Sequence, residues 1–179
     1  EMKIINTKFE GLKIIKQDSF KDKRGYLRVT HNQKLLKKKN FIFEYCTNSR
    51  KNSLRGFHFQ SKYPQAKYVN VIKGKILDCV IDLRKNSKTF SKSFKIILSS
   101  KNNLGLYIPE GFAHAYYSYD KENIIYYKLN NYYQPKYEDG INVLDKKLKI
   151  KWPGKFFLIS KKDKNLKSLE NFKKNFKYL

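Results

Sequence analysis

Among the side chains able to move a proton near neutral pH, two of the chain's three histidines stand in segments that aim them. His58 lies in Leu54-Arg55-Gly56-Phe57-His58-Phe59-Gln60, and His114 ends Tyr107-Ile108-Pro109-Glu110-Gly111-Phe112-Ala113-His114. Both segments read as short strands or strand ends next to glycine. A sharp turn beside an imidazole and an arginine directs a base and an anion clamp into a cavity. Imidazole titrates near operating pH and so suits general-base work. Arg55, three residues before His58, offers a fork that matches phosphate oxygens. Lys67, on the next strand, brings an ammonium to an oxyanion. A base, an ammonium and a guanidinium around a tyrosine-rich cavity suit proton abstraction next to a carbonyl on a phosphorylated substrate. The competing reading makes His58 a satisfied core histidine and lets Lys67 reach solvent.

A metal is not expected. A facial metal site needs about three protein ligands, commonly two His and a carboxylate. His31 sits in a lysine-rich stretch, which leaves His58 and His114, and two ligands are too few. No cofactor is expected either.

These side chains need a β scaffold to hold them. From about residue 41 to 128, runs of Val, Ile, Tyr and Phe are cut by Gly, Asn-Ser or Asn-Asn turns. They predict strands at 41–46, 53–60, 67–73, 75–84, 90–98, 104–109, 114–119 and 123–130, and short strands at this spacing fit a jelly roll. Along 75–84, Asp78, Val80 and Asp82 share one face, and Leu77, Cys79, Ile81 and Leu83 the other. The second face is expected to be core; the two carboxylates must meet water, cations or a polar pocket. Leu166, Leu169 and Phe172 recur at helical spacing, predicting a helix over 165–177 on the sandwich edge, with Asp163 just ahead of it.

The 179 residues fit a single domain, 1–179, with its core at about 20–153 and a C-terminal segment, 154–179, covering the barrel. No run approaches the roughly 18 apolar residues of a membrane span, and the first twelve residues lack the apolar core of a signal peptide. Cys46 and Cys79 lack metal-ligand spacing and are too few for a disulfide framework, so a reducing, cytoplasmic setting is expected. The net charge of +25 invites a nucleic-acid reading. Only five of the forty basic residues are arginine, however, and the lysines are scattered through every segment. Neither nucleic acid nor membrane is therefore expected as a partner, although such a field favours an anionic small substrate.

Taken together, these segments resemble the dTDP-4-dehydrorhamnose 3,5-epimerase family, metal-independent cupins acting on nucleotide-linked 4-keto sugars. The match runs through Asp22-Lys23-Arg24-Gly25-Tyr26, Leu54–Gln60, Gln65-Ala66-Lys67-Tyr68-Val69 and Asp78–Arg84. It continues through Tyr107–His114, Tyr127-Lys128, Asn131-Tyr132-Tyr133-Gln134-Pro135, Ile150-Lys151-Trp152-Pro153 and Leu158–Asp163. The resemblance implies an all-β, cupin-type jelly-roll β-sandwich with a short C-terminal helix. It implies His58 as the base that removes the proton α to the ketone, Asp163 as its dyad carboxylate, Lys67 at the enolate oxygen and Tyr127 as the acid on the opposite face. Arg24 and Arg55 match diphosphate ligands and His114 a pocket-wall histidine; Gln60, Tyr45 and Asp78 complete the expected substrate-binding set. In relatives the Arg24 segment comes from a neighbouring subunit, so a homodimer with shared active sites is implied.

The sequence departs from the family where the nucleotide is held. Relatives using deoxythymidine nucleotides carry a glutamate four residues after the Arg-Gly pair and Gln-x-Asn in the following strand, where this chain has Val29, Phe43 and Tyr45. Tyr45 can stack on either kind of base. A dTDP- or GDP-linked substrate, a 6-deoxy sugar or a heptose, and inversion at C3, C5 or both all stay open. Two other readings compete. A 3,4-ketoisomerase would carry a histidine where this chain has Gln60, and a non-catalytic sugar-nucleotide-binding cupin would be free to lose His58 or Lys67.

Overall fold

β-branched and aromatic residues alternate with polar ones between Gly and Asn turns, the pattern of half-buried strands. In the computed structural model, which describes residues 2–36 and 40–175, they form thirteen strands. These are β1 (Lys3–Asn6), β2 (Lys13–Lys16), β3 (Ser19–Asp22), β4 (Gly25–Arg28), β5 (Phe43–Arg50), β6 (Leu54–Gln60) and β7 (Lys67–Lys73). They continue with β8 (Lys75–Asp82), β9 (Ser93–Ser99), β10 (Leu104–Ile108), β11 (Phe112–Ser118), β12 (Glu122–Leu129) and β13 (Glu138–Gly140). Two helices follow, α1 (Lys161–Lys164) and α2 (Leu169–Asn175).

Two antiparallel sheets make the sandwich. One runs β1-β2-β10-β7-β12-β5 and the other β13-β6-β11-β8-β9, while β3 and β4 form a separate hairpin. This is the expected all-β jelly roll. Each of the eight predicted strands is present with ends shifted by a few residues. The four short strands before residue 29 were not predicted, because four-residue strands flanked by lysine carry little periodic signal. The six-stranded sheet accordingly begins at Lys3, well before the expected core boundary near residue 20.

Between the sheets lies a core of Val69, Val71, Val80, Leu106, Ile108, Phe112, Ile125 and Leu129. A second core covers the outer face of the five-stranded sheet, where Leu54, Phe57, Cys79, Ile81 and Ala115 meet Ile141, Val143 and Trp152 from the stretch after β13 and Leu169 and Phe172 from α2. Strand β8 is therefore buried on both faces. The face carrying Asp78 and Asp82, expected to meet a polar environment, points into the sandwich, and both carboxylates are fully buried. Each is paired: Asp78 with His114, and Asp82 with Arg84, Ser87 and Thr89.

The predicted helix over 165–177 is shorter, and its last two positions lie outside the described residues. Asp163 belongs to α1, a separate turn capped by Ser160, whose side chain accepts from the Asp163 N–H. Among the described residues no helix is long and apolar enough to cross a membrane.

Candidate active site

Strand alternation puts residues three apart on opposite faces. Arg55 and His58 nevertheless both face the space between the sheets. The reason is a β-bulge: on β11, His114 pairs with His58 and Tyr116 with Arg55, so three steps on β6 oppose two on β11. The extra residue falls beside Gly56, whose φ is +110°. A Cβ there would lie 2.4 Å from the His114 carbonyl oxygen and 2.8 Å from Ala115, so only glycine fits. The Gly56 N–H donates instead to Asp163 Oδ2 at 3.0 Å.

Asp163 thus takes two bonds from β6. Its Oδ1 lies 2.8 Å from His58 Nε2, the expected dyad pairing across 105 residues of sequence. Burial alone would raise the Asp163 carboxyl; the bonds from His58, the Gly56 N–H and Ser160 hold it below its ordinary value. With the carboxylate accepting from Nε2–H, Nδ1 carries the lone pair and is the nitrogen left to act as a base. Glu138 Oε1 stands 3.7 Å from that nitrogen. Glu138 is itself held by Lys162 and by the Tyr133 hydroxyl, at 2.6 Å. Sequence reasoning missed Glu138, because Lys136-Tyr137-Glu138-Asp139 reads as a polar loop; its position comes from pairing opposite Gln60.

The facing wall belongs to the six-stranded sheet. Lys67 opens β7, is 8% exposed, and burial pulls its ammonium down to about 8, with Glu138 and Asp78 opposing the shift. Tyr127, on β12, is buried between a stacked Tyr45 (4.7 Å between ring centroids) and the edge of His114 (6.0 Å). Burial pushes the Tyr127 phenol well above its usual range, so it stays protonated; Tyr45 is likewise pushed up to about 12.

These groups surround one cavity of about 770 Å³. Of the expected residues, His58, Lys67, Tyr127, Asp163, Arg55, Gln60, His114 and Tyr45 line it. Three expectations take a different form. Asp78 lies behind the wall, fully buried, and bonds His114 Nε2 at 2.8 Å, so it holds that imidazole and does not face a substrate. Gln60 spends both amide protons on the Tyr63 and Tyr132 carbonyls and accepts from Gln134 N–H, which ties the loop rim together. Arg24 is not at this chain's own cavity; it sits on the β3–β4 hairpin, 90% exposed and paired with Asp22. Phe43 and Tyr45, at the departures from the family pattern, both line the cavity. Among the described residues no three His, Cys, Asp or Glu side chains are grouped to hold a metal ion.

A jelly roll with an imidazole–carboxylate pair, a buried ammonium and a buried phenol turned into one cavity defines a cupin-type enzyme. The model of the family described as dTDP-4-dehydrorhamnose 3,5-epimerase matches residues 6–171. A protein of that name from Methanothermobacter thermautotrophicus is 38% identical over 94% of this chain and 95% of its own. The Bacillus anthracis dTDP-4-dehydrorhamnose 3,5-epimerase, solved with TDP and PPi bound, superposes with a TM-score of 0.91 at 34% identity, covering 94% of this chain and 100% of that one. A Legionella pneumophila dTDP-6-deoxy-D-glucose-3,5-epimerase in complex with dTDP-4-keto-L-rhamnose gives 0.91 at 36%, covering 95% and 94%. The chain belongs to the dTDP-4-dehydrorhamnose 3,5-epimerase family and is an isomerase acting on a sugar nucleotide.

Proposed function

We propose that the chain inverts C3, C5 or both in a nucleotide-diphosphate-linked 4-keto sugar, by proton transfer through an enolate. The observation that carries this reading is that the base and the acid come from opposite sheets. His58 with Asp163 stands on the five-stranded side; Lys67 and Tyr127 stand on the six-stranded side of the same cavity. A 4-ketone acidifies the hydrogens at C3 and C5. His58 removes one, the electron pair moves onto the ketone oxygen beside the Lys67 ammonium, and Tyr127 returns a proton to the other face of the carbon. Inversion needs two groups on opposite faces, since a lone base would only exchange the proton. Arg55 binds the diphosphate, and the ketone itself is the electron sink.

The relatives' bound dTDP compounds favour a dTDP-linked substrate. Phe43 and Tyr45 favour holding the base by stacking, which a GDP-linked substrate would also satisfy. The whole chain acts as one unit, its C-terminal segment supplying Asp163 to His58. It works as a homodimer in a reducing compartment, supplying sugars for surface polysaccharide.

Proton NMR in D2O tests the proposal, with 4-keto-6-deoxy sugars linked to dTDP and to GDP and a GDP-linked 4-keto heptose. Deuterium should enter C3, C5 or both, and the faster nucleotide identifies the substrate. His58→Ala should abolish this exchange while leaving nucleotide binding within about twofold; exchange that survives in this variant removes His58 as the base.

A further inference from the structure

Asp163 holds one side of His58, and a second carboxylate that the mechanism above leaves unused stands on the other. Glu138 Oε1 lies 3.7 Å from His58 Nδ1, too far for a hydrogen bond. The tautomer accounts for the gap. With Nε2–H donating to Asp163, Nδ1 carries a lone pair, so two acceptors face each other. A proton on Nδ1 turns the same contact into a donor facing a carboxylate, which a small rotation of either side chain closes into a charge-assisted bond.

The two oxygens of Glu138 meet different neighbours. Oε2 accepts from the Tyr133 hydroxyl at 2.6 Å and from the Lys162 ammonium, while Oε1 is the oxygen turned to His58. Backbone pairing of β13 opposite Gln60 fixes that placement. The Glu138 side chain is only 15% exposed, whereas that of Lys162 is 59% exposed and Tyr133 is 45% exposed. All three line the cavity, so Glu138 stands between the imidazole and groups that meet solvent. Burial alone would raise its carboxyl; the bonds from Lys162 and Tyr133 and the nearby His58 hold it below its ordinary value. It is therefore ionised when His58 needs an acceptor, and it gives up readily any proton it takes.

Each inversion leaves His58 holding the substrate's proton and Tyr127 without its own, and a substrate in the cavity covers Nδ1 from the open side. We infer that Glu138 is the outlet for the proton captured by His58, taking it from Nδ1 on Oε1 and releasing it to solvent at the rim formed by Tyr133 and Lys162. The inference rests on the proposed role of His58 as the base. When the C–H bond breaks, its electron pair moves onto the ketone oxygen and the proton binds Nδ1. The Nδ1–H bond then breaks with its pair left on nitrogen, the Oε1–H bond forms, and a solvent water takes that proton. Tyr127 draws its replacement proton from water, so the cycle neither gains nor loses one.

The test follows dTDP-4-keto-6-deoxyglucose in D2O by proton NMR at early times, in dilute and in concentrated imidazole buffer. Deuterium in recovered, uninverted substrate is read separately from inverted product. It reaches that substrate only after His58 has exchanged its captured proton, so it reports the outlet. Glu138→Gln keeps the side chain's size and removes the group able to carry a proton. In dilute buffer it should lower this deuterium entry about tenfold and inversion by less. Concentrated imidazole, an external acceptor, should bring both back to within about twofold of wild type. Glu138→Asp, one methylene shorter, is the second variant and should show a smaller loss with the same recovery. A loss that imidazole does not restore makes Glu138 structural and overturns the outlet, as does undiminished deuterium entry in Glu138→Gln. If His58→Ala keeps exchange, it is the base assignment that fails. If His58→Ala loses exchange and Glu138→Gln does not lower it, only the outlet fails.

Discussion

At the scale of single residues, the role proposed for Lys67 at the enolate oxygen conflicts with stability. Its ammonium has a pKa pulled from 10.5 to about 8 by burial, and the nearby carboxylates of Glu138 and Asp78 only partly offset that. A lysine that binds its proton less tightly folded than unfolded destabilises the native state, here by roughly 3 kcal/mol at neutral pH. Between about 8 and 10.5 the unfolded chain holds more protons, so this penalty shrinks as pH rises and is gone above the unfolded value. Lys67→Met should therefore abolish epimerisation yet gain stability at pH 7, and its advantage in urea unfolding should fade between pH 8 and pH 10.5. An advantage independent of pH would mean that packing, not charge burial, separates the two proteins. The same group sets an activity limit: if its charge holds the enolate, kcat/KM of the wild-type enzyme should fall above about pH 8.

Among the elements, β6 and its bulge decide whether a site exists. Gly56→Ala would drive a Cβ into the His114 carbonyl at 2.4 Å and force a side chain onto φ +110°. A cost of about 2–4 kcal/mol is expected, a drop of roughly 5–15 °C in Tm for a chain this size. Material that still folds should have lost proton exchange, because the Gly56 N–H no longer steadies Asp163. A variant with unchanged Tm would show that the bulge tolerates a side chain. This bulge also marks the limit of what could be read in the sequence. Arg55 and His58 were legible as a pair because seven consecutive residues carry them, and Lys67 because it opens the next apolar run. That Arg55 and His58 face the same way was not, since alternation alone separates them and the extra residue appears only in register with β11. Asp163 came from family resemblance; no local pattern joins it to a histidine 105 residues away. Glu138 was hidden for the same reason, its strand being three residues long and defined by its partner. Thr47 and Ser49 extend β5 beyond its predicted end, because polar residues facing a cavity do not read as strand.

On the scale of the whole molecule, the proposed homodimer gives the β3–β4 hairpin a task. The hairpin presents Phe20, Tyr26 and Leu27 to solvent, all more than half exposed, with Arg24 at its turn and no place at its own cavity. A hairpin that reaches into the partner's site would cover those apolar side chains and bring Arg24 to the partner's diphosphate. The arrangement makes complementation possible. Arg24→Ala and His58→Ala homodimers should each be nearly inactive, the first for want of the clamp and the second for want of the base. When equal amounts are unfolded together and refolded, about half the dimers are mixed. In each mixed dimer one site receives an intact His58 from one protomer and an intact Arg24 from the other, while the second site lacks both. Activity should therefore return to about one quarter of wild type. If each chain's arginine served its own site, every site in the mixture would lack one of the two groups, and refolding would restore nothing. A zero return from properly mixed dimers, with heterodimer formation verified by mass spectrometry, rules out the shared site.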